Sequence, residues 1–460
     1  MTFRLLNLVI LLLFLNPGSG TSQTLSPAPF QAGDTWCVLG DSITEGGLYH
    51  QYMELFFITR DPARKMDVIN CGVRGDTAAQ ANQRLKWDCL DRKPTVVSVM
   101  LGMNDVGRSS YKYPESPNFA NKALARAETY ERELHMLAKS LADSGVRTIL
   151  IKPSIFDETA DLPTTNLPGC GEALAGYGNI VEKIAGQLHL PVVDFNTPMK
   201  AINQKLQQSD RHFSIVGPDR VHPTAPGHFV MAYEFLKAMN APGIVSQISI
   251  DAASESLVRT DSCQVTELKI EPDAISFQCL ENALPLPVEK SASPALDFVP
   301  FTRELNQQIL QVGGLKHGDY ELLIDGKIIR TFSSAQLAEG VNLAEEKATP
   351  QYQQAEKVLA ALGQKWNAAA KLRALAFIEH NIWPSDERPV DPKKISEELD
   401  SGLDKLTGGN PTWKERLKNN YLADKTSTLA LHEAIGASTK QARQAAAPSP
   451  HRFQLRSRCL

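Results

Sequence analysis

Between residues 35 and 242, five short apolar runs rich in β-branched residues alternate with longer stretches of helical periodicity, and this alternation restricts the fold more than any other feature of the chain. The runs are TWCVLG (35–40), MDVINC (66–71), TVVSVMLG (95–102), RTILIK (147–152) and PVVDF (191–195). They are almost wholly apolar, as strands covered on both faces must be. Between them lie segments such as ALARAETYERELHMLAKSL (123–141), whose apolar residues recur at helical spacing. This alternation requires right-handed crossovers, so it predicts an α/β fold, a parallel sheet with helices on both faces. Ligands bind such a sheet beyond the carboxyl ends of its strands.

At 460 residues the chain exceeds what one hydrophobic core usually supports, and its texture changes after residue 242. Alternating segments such as QVTELKI (264–270) and AISFQ (274–278), and the pair GDYELLI and KIIRTF around Asp325-Gly326, predict a small antiparallel module over 246–345. Helical periodicity returns over 350–432, interrupted by a loop with three prolines at 381–392. Packing against a neighbouring element is the expected role of this segment, with Trp366, Trp383 and Trp413 as contacts and carbohydrate stacking as the lesser alternative. Residues 436–460 carry five Lys/Arg and no acid, and read as a disordered tail.

Arg4, the apolar stretch 5–15 and the small residues after it have the parts of a secretory signal peptide over 1–20, predicting a periplasmic or extracellular protein, with an uncleaved N-terminal anchor left open. That stretch is shorter than a bilayer span, so stable membrane insertion is not expected once the signal is removed. A net charge of −4 provides no basic field for nucleic acid. Of seven cysteines, Cys37 and Cys71 read as buried small hydrophobes, and Cys263 and Cys279 are the best disulfide candidates. Neither Cys-x-x-Cys nor His-Glu-x-x-His occurs, so no cofactor or metal is expected.

Four segments fall at the ligand-facing ends of the predicted sheet: Gly40-Asp41-Ser42 after the first strand, NCGVRGDT (70–77) after the second, Gly102-Met103-Asn104-Asp105 after the third, and Asp219-Arg220-Val221-His222 in the loop before the last helix. Together they supply a hydroxyl, a glycine-rich turn, a carboxamide, and a carboxylate three residues before an imidazole, which suits acyl transfer. Ser42 needs a base, and His222 is the natural one. Asp219 can hold the imidazole in one tautomer, and Asp194 is a second candidate for that task. Donors to an oxyanion would be the N–H groups of Ser42 and Gly75 and the amide of Asn104. Gly72 competes with Gly75, which is preferred because the Asp-Thr after it can cap the next helix. Asp41 and Asp105 are expected to brace their loops, and His228 to face solvent.

These segments resemble the sequence blocks of the SGNH hydrolases, also called the GDSL family, in that family's order over about 33–242. The resemblance implies a flavodoxin-like three-layer fold, a Ser42–His222–Asp219 triad, and an oxyanion hole from Ser42, Gly75 and Asn104. Ile43 stands where the family's name expects leucine. The overall arrangement is similar to exported bacterial members with C-terminal extensions. The family spans several substrate classes, so fold and triad leave the substrate open. Residues 107–113 and 156–169, which flank the predicted site, are polar with scattered aromatics and suit a sugar better than a long acyl chain. The expected activity is removal of acetyl or similar short acyl groups from a polysaccharide or small-molecule ester. The alternatives are a lipolytic esterase or thioesterase, and an inert carbohydrate-binding or scaffold protein.

Overall fold

A computed structural model of the chain describes residues 25–384, 389 and 391–458. The stretch read as a signal peptide and Cys459 lie outside these residues. Among the described residues no helix is long and apolar enough to cross a membrane.

The five apolar runs form β1 (Thr35–Gly40), β2 (Asp67–Gly72), β3 (Val96–Met100), β4 (Arg147–Lys152) and β5 (Val192–Asp194). They pair in the order β2-β1-β3-β4-β5, all parallel. This is the flavodoxin-like order, in which the chain reverses its direction of travel between β1 and β3 and opens a crevice beyond their carboxyl ends. Helices cover both faces: α1 (Ser42–Gly46), α2 (Leu48–Arg60), α3 (Ala78–Arg84), α4 (Phe119–Asp143), α5 (Cys170–Leu188), α6 (Asn196–Leu206) and α7 (Ala225–Ala238). All five residues of β3 are buried, four of them apolar and the fifth, Ser98, accepting the Trp36 indole N–H at 2.9 Å. Cys37 and Cys71 are buried in the same core, where Cys89 joins them with the three sulfurs within 4.8 Å of one another.

The β-rich part holds β6 (Ile244–Asp251), β7 (Ser256–Asp261), β8 (Cys263–Glu271), β9 (Ala274–Glu281), the short helix α8 (Phe301–Leu305), β10 (Gln307–Gly313), β11 (Asp319–Ile324), β12 (Lys327–Ser333), α9 (Ser334–Glu339) and β13 (Val341–Asn342). A β13-β10-β6-β7 sheet, in which β6 and β10 pair parallel and so depart from the antiparallel expectation, and a second sheet share one apolar core that includes Ile248, Val312, Phe277 and Leu322. Asp325-Gly326 forms the expected hairpin between β11 and β12. Cys263 and Cys279 are free thiols rather than a disulfide. They lie on neighbouring strands, where Cys279 stands directly opposite Val265 and Cys263 opposite Glu281.

After residue 350 come α10 (Pro350–Ile382), α11 (Pro392–Leu406), α12 (Pro411–Thr426) and α13 (Thr428–Ala445). The expectation of a disordered tail is overturned, since α13 continues nine residues past Gly436 and is followed by β14 (Pro450–Ser457). This last strand lies between β9 and β11 at the centre of the second sheet, in the order β12-β11-β14-β9-β8. Its basic residues alternate with Phe453 and Leu455, both 1% exposed, so a period-two apolar pattern lies beneath the charge. Trp383 is buried and Trp366 donates to Glu54, but Trp413 stands exposed on α12.

Candidate active site

The turn from β1 into α1 places Ser42 at the first position of a helix. The Asp41 carboxylate caps that helix by accepting the Ile43 N–H at 3.0 Å. From 180 residues further along the chain, His222 brings Nε2 to 2.8 Å from Ser42 Oγ. Its Nδ1 lies 2.5 Å from Asp219 Oδ2, while Asp219 Oδ1 accepts the N–H groups of Val221 and His222 at 3.0 Å each. Burial works to raise the Asp219 pKa, but the hydrogen bonds from the His222 ring and the two backbone amides outweigh it and hold the carboxyl below its ordinary value. About half of the His222 and Asp219 side-chain surface is open to solvent.

The segment 70–77 (block two) is tied to Gly40-Asp41-Ser42 (block one) by the Val73 N–H, which donates to Gly40 O at 3.0 Å, and Gly102–Asp105 forms block three. Its two glycines differ in kind. A Cβ on Gly72 would stand 2.2 Å from the Glu45 backbone nitrogen, and the Gly72 N–H is taken by Asn70 Oδ1 at 2.8 Å. Gly75 has a left-handed φ of +85° with open space around a notional Cβ, and its N–H meets no protein acceptor among the described residues. Thr77 then caps α3 together with Gln80. Asn104 reaches the same loop, its Nδ2 donating to Asp76 O at 2.9 Å and leaving a second N–H on that nitrogen.

Asp105 accepts the Ala78 N–H at 2.8 Å and so braces block three against α3. Burial pushes its pKa up to about 6 and that of Asp41 up to about 7, in each case against backbone hydrogen bonds that favour the charged form. Asp194 is turned to other partners, Lys152 Nζ at 2.9 Å and the Thr197 N–H and hydroxyl. His228 does not face solvent as expected: it is buried, stacked on Tyr49 with the ring planes 2° apart, and burial holds its pKa down to about 3.

Several supporting residues carry no motif. Arg220 lies between Asp219 and His222 with φ +68°, buried, and donates to the carbonyls of Asp157, Ala160, Leu162 and Thr164. It thereby fastens the loop 156–169 to the histidine loop. Arg108 donates to Met103 O and Asn104 Oδ1. The flanking aromatics are less available than their polar context suggests, since Tyr111 and Phe156 are buried and Tyr113 is exposed. A groove of about 480 Å³ lined by Thr77, Asp105, Lys122 and Arg126 opens between α3 and α4.

A hydroxyl in contact with an imidazole, itself held by a carboxylate, at the crevice of a 2-1-3-4-5 sheet can carry out acyl transfer without a metal ligand set. Fold and site together define the class as an α/β serine ester hydrolase. More narrowly, the chain belongs to the GDSL-like lipase/acylhydrolase family, whose profile matches residues 38–229. The structure of a gut microbial diltiazem-metabolizing enzyme is similar, with a TM-score of 0.85 and 30% identity over 94% of this chain and 100% of that one. An acetylxylan esterase of Geobacillus stearothermophilus is 25% identical over 221 residues, 45% of this chain and 94% of that protein. The likeness to the diltiazem-metabolizing enzyme therefore spans nearly the whole chain, whereas that to the acetylxylan esterase spans less than half of it.

Proposed function

We propose that this esterase removes acetyl or similar short acyl groups from carbohydrate, with Ser42 as nucleophile, His222 as general base and acid, and Asp219 as the group that orients the imidazole. The single observation that carries this reading is the continuous line from Ser42 Oγ through His222 to Asp219, at 2.8 and 2.5 Å. Ser42 Oγ attacks the acyl carbon while its proton passes to His222 Nε2. The carbonyl oxygen becomes an oxyanion, for which the N–H groups of Ser42 and Gly75 and the Asn104 amide are the donors, each worth about 3 kcal/mol in the transition state. Collapse expels the sugar oxygen, which takes the proton from His222 and leaves an acyl-serine. Water then attacks that ester, giving its proton to His222 and releasing acetate, and the serine recovers a proton. Asp219 stays ionised throughout and stabilises the imidazolium.

The acyl group and acceptor rest on two supports: the half-open imidazole and carboxylate, which accommodate a bulky acceptor, and the similarity to an acetylxylan esterase. A second reading is favoured by the longer similarity to a diltiazem-metabolizing enzyme, namely that small non-carbohydrate esters are turned over at the same serine. Export to the periplasm or beyond, directed by residues 1–20, belongs to the same proposal because it would bring the enzyme to a polymeric substrate. Wild type and Ser42→Ala should be assayed with p-nitrophenyl acetate, p-nitrophenyl octanoate, diltiazem and acetylated xylan. Acetate release from xylan and preference for the short ester, both abolished in Ser42→Ala, are expected. Preference for octanoate would replace the carbohydrate reading with a lipolytic one, and hydrolysis of none of the four would favour a binding protein.

A further inference from the structure

The loop that carries Gly75 is held from behind by the appended helix α10, nearly three hundred residues further along the chain. Arg373 on α10 donates to the carbonyl of Gly72 at 3.1 Å and clasps both oxygens of Asp88 at 2.6 and 2.9 Å. Asp88 sits on a π-helical turn (Leu85–Cys89) directly after α3, and it also accepts from Arg84 at 2.6 Å. Arg84, fully buried, donates in turn to Cys71 O, to Gly40 O two residues before Ser42, and to Asp76 Oδ2 at 2.6 Å. The remaining Asp76 oxygen lies 3.3 Å from Nε2 of His380, again on α10.

Two guanidiniums and two carboxylates, none more than 7% exposed, thus form a closed chain of charge that begins and ends on one helix. It grips the backbone where β1 and β2 deliver the catalytic loops. Between its two ends the apolar contacts continue, because Val73 is fully buried in a cluster with Leu375, Phe377 and Ile378, and the Arg74 guanidinium stacks 4.7 Å above the Phe377 ring. Gly72, Val73, Arg74 and Asp76 are therefore all in contact with α10. Gly75, between Arg74 and Asp76, has open space around a notional Cβ and an N–H with no protein acceptor among the described residues.

We infer that α10 is a positioning element of the hydrolytic site, and that Arg373 and His380 are positioning residues which fix the Gly75 N–H and, through Asp76, the Asn104 amide toward the oxyanion. This rests on the proposed oxyanion hole. A donor pays off in the transition state only if it is already aimed, so a loosened loop lowers kcat while ground-state binding persists.

The test compares Arg373→Lys, which keeps the charge but not the forked contact, with His380→Leu and His380→Gln, the last able to replace Nε2 as a donor. Trp366→Phe, which loses only a contact from α10 to Glu54 on α2, controls for general loosening of the helix. Full-length proteins are assayed on p-nitrophenyl acetate and titrated with an alkyl boronic acid, a mimic of the tetrahedral intermediate. Arg373→Lys and His380→Leu are expected to lower kcat about tenfold with KM within about twofold, and to weaken boronate binding by the same factor. His380→Gln should recover most of the loss. Folded His380→Leu with wild-type kcat, or with a loss no larger than that of Trp366→Phe, would overturn the inference even if Arg373→Lys does not fold. Ser42→Ala separates the two ideas: if it stays active, the site reading fails, and if it is inactive while the α10 variants behave as wild type, only the positioning role fails.

Discussion

Substituting alanine at each of the two block-two glycines asks whether the serine turn and the glycine loop are as closely fitted as their packing suggests. In Gly72→Ala the new Cβ would stand 2.2 Å from the Glu45 nitrogen, 2.6 Å from the Thr44 carbonyl carbon and 2.8 Å from Glu45 Cα. All three are backbone atoms of α1, so no side chain can swing aside. Restoring ordinary contact at about 3.5 Å requires α1 to withdraw by about 1 Å. Ser42 opens that helix, and the same displacement along the 2.8 Å hydroxyl–imidazole contact carries it beyond hydrogen-bond range. A misplacement of about 1 Å at the reacting atoms costs on the order of 100-fold in kcat, and the overpacking about 1–3 kcal/mol of stability. Gly75→Ala meets nothing within 4 Å, so its cost is conformational, about 1–2 kcal/mol for an L-residue held at φ +85°. Steady-state hydrolysis of p-nitrophenyl acetate together with thermal unfolding distinguishes the two. Gly72→Ala should lose kcat far out of proportion to its stability, and Gly75→Ala should lose stability with a smaller fall in kcat. A Gly72→Ala enzyme with wild-type kcat would refute the argument.

Asp219→Asn should lower kcat by on the order of a thousandfold or more, whereas Asp194→Asn, whose partners are Lys152 and Thr197, should leave turnover within about threefold; a larger loss in the second would reverse the assignment. Burial holds the His228 pKa down to about 3, so its stabilising contribution is complete above the unfolded value of about 6.5 and is lost as pH falls toward 3. His228→Phe should therefore flatten the fall of Tm between those limits, and an unchanged acid limb would show that other groups govern it. Phe453→Ala should cost about 3–5 kcal/mol in urea unfolding, as for a central core ring, whereas a value below about 1 kcal/mol would mean β14 is not integral to the sheet. Arg220→Met, which abandons four carbonyls, those of Asp157 and Ala160 in buried hydrogen bonds, should speed proteolysis within residues 156–169 relative to wild type.

Where local chemistry repeats at a short period, the sequence was sufficient. Five apolar runs separated by helical periodicity determine a parallel sheet because strands buried on both faces admit no other composition, and the residues at their carboxyl ends then point to one crevice. The Asp219-x-x-His222 spacing was likewise legible, since a carboxylate three residues before an imidazole can close a turn onto it. The difference between Gly72 and Gly75 lies in the packing, because a helix-capping argument says nothing of how close α1 passes to Gly72. His228 is buried rather than exposed for a related reason: its ring meets Tyr49 only when α2 and α7 pack. Over residues 436–460, five cations without an acid obscure an alternation in the last strand in which Phe453 and Leu455 face inward. Most remote of all from sequence reasoning was the link from Arg373 through Asp88 and Arg84 to Asp76. Only the Arg84–Asp88 step has a regular spacing, four residues, and the pairing of Arg373 with Asp88 across 285 positions has none. The link exists because tertiary packing excludes water from two guanidiniums and two carboxylates at once, leaving them one another, His380 and a few backbone carbonyls as partners.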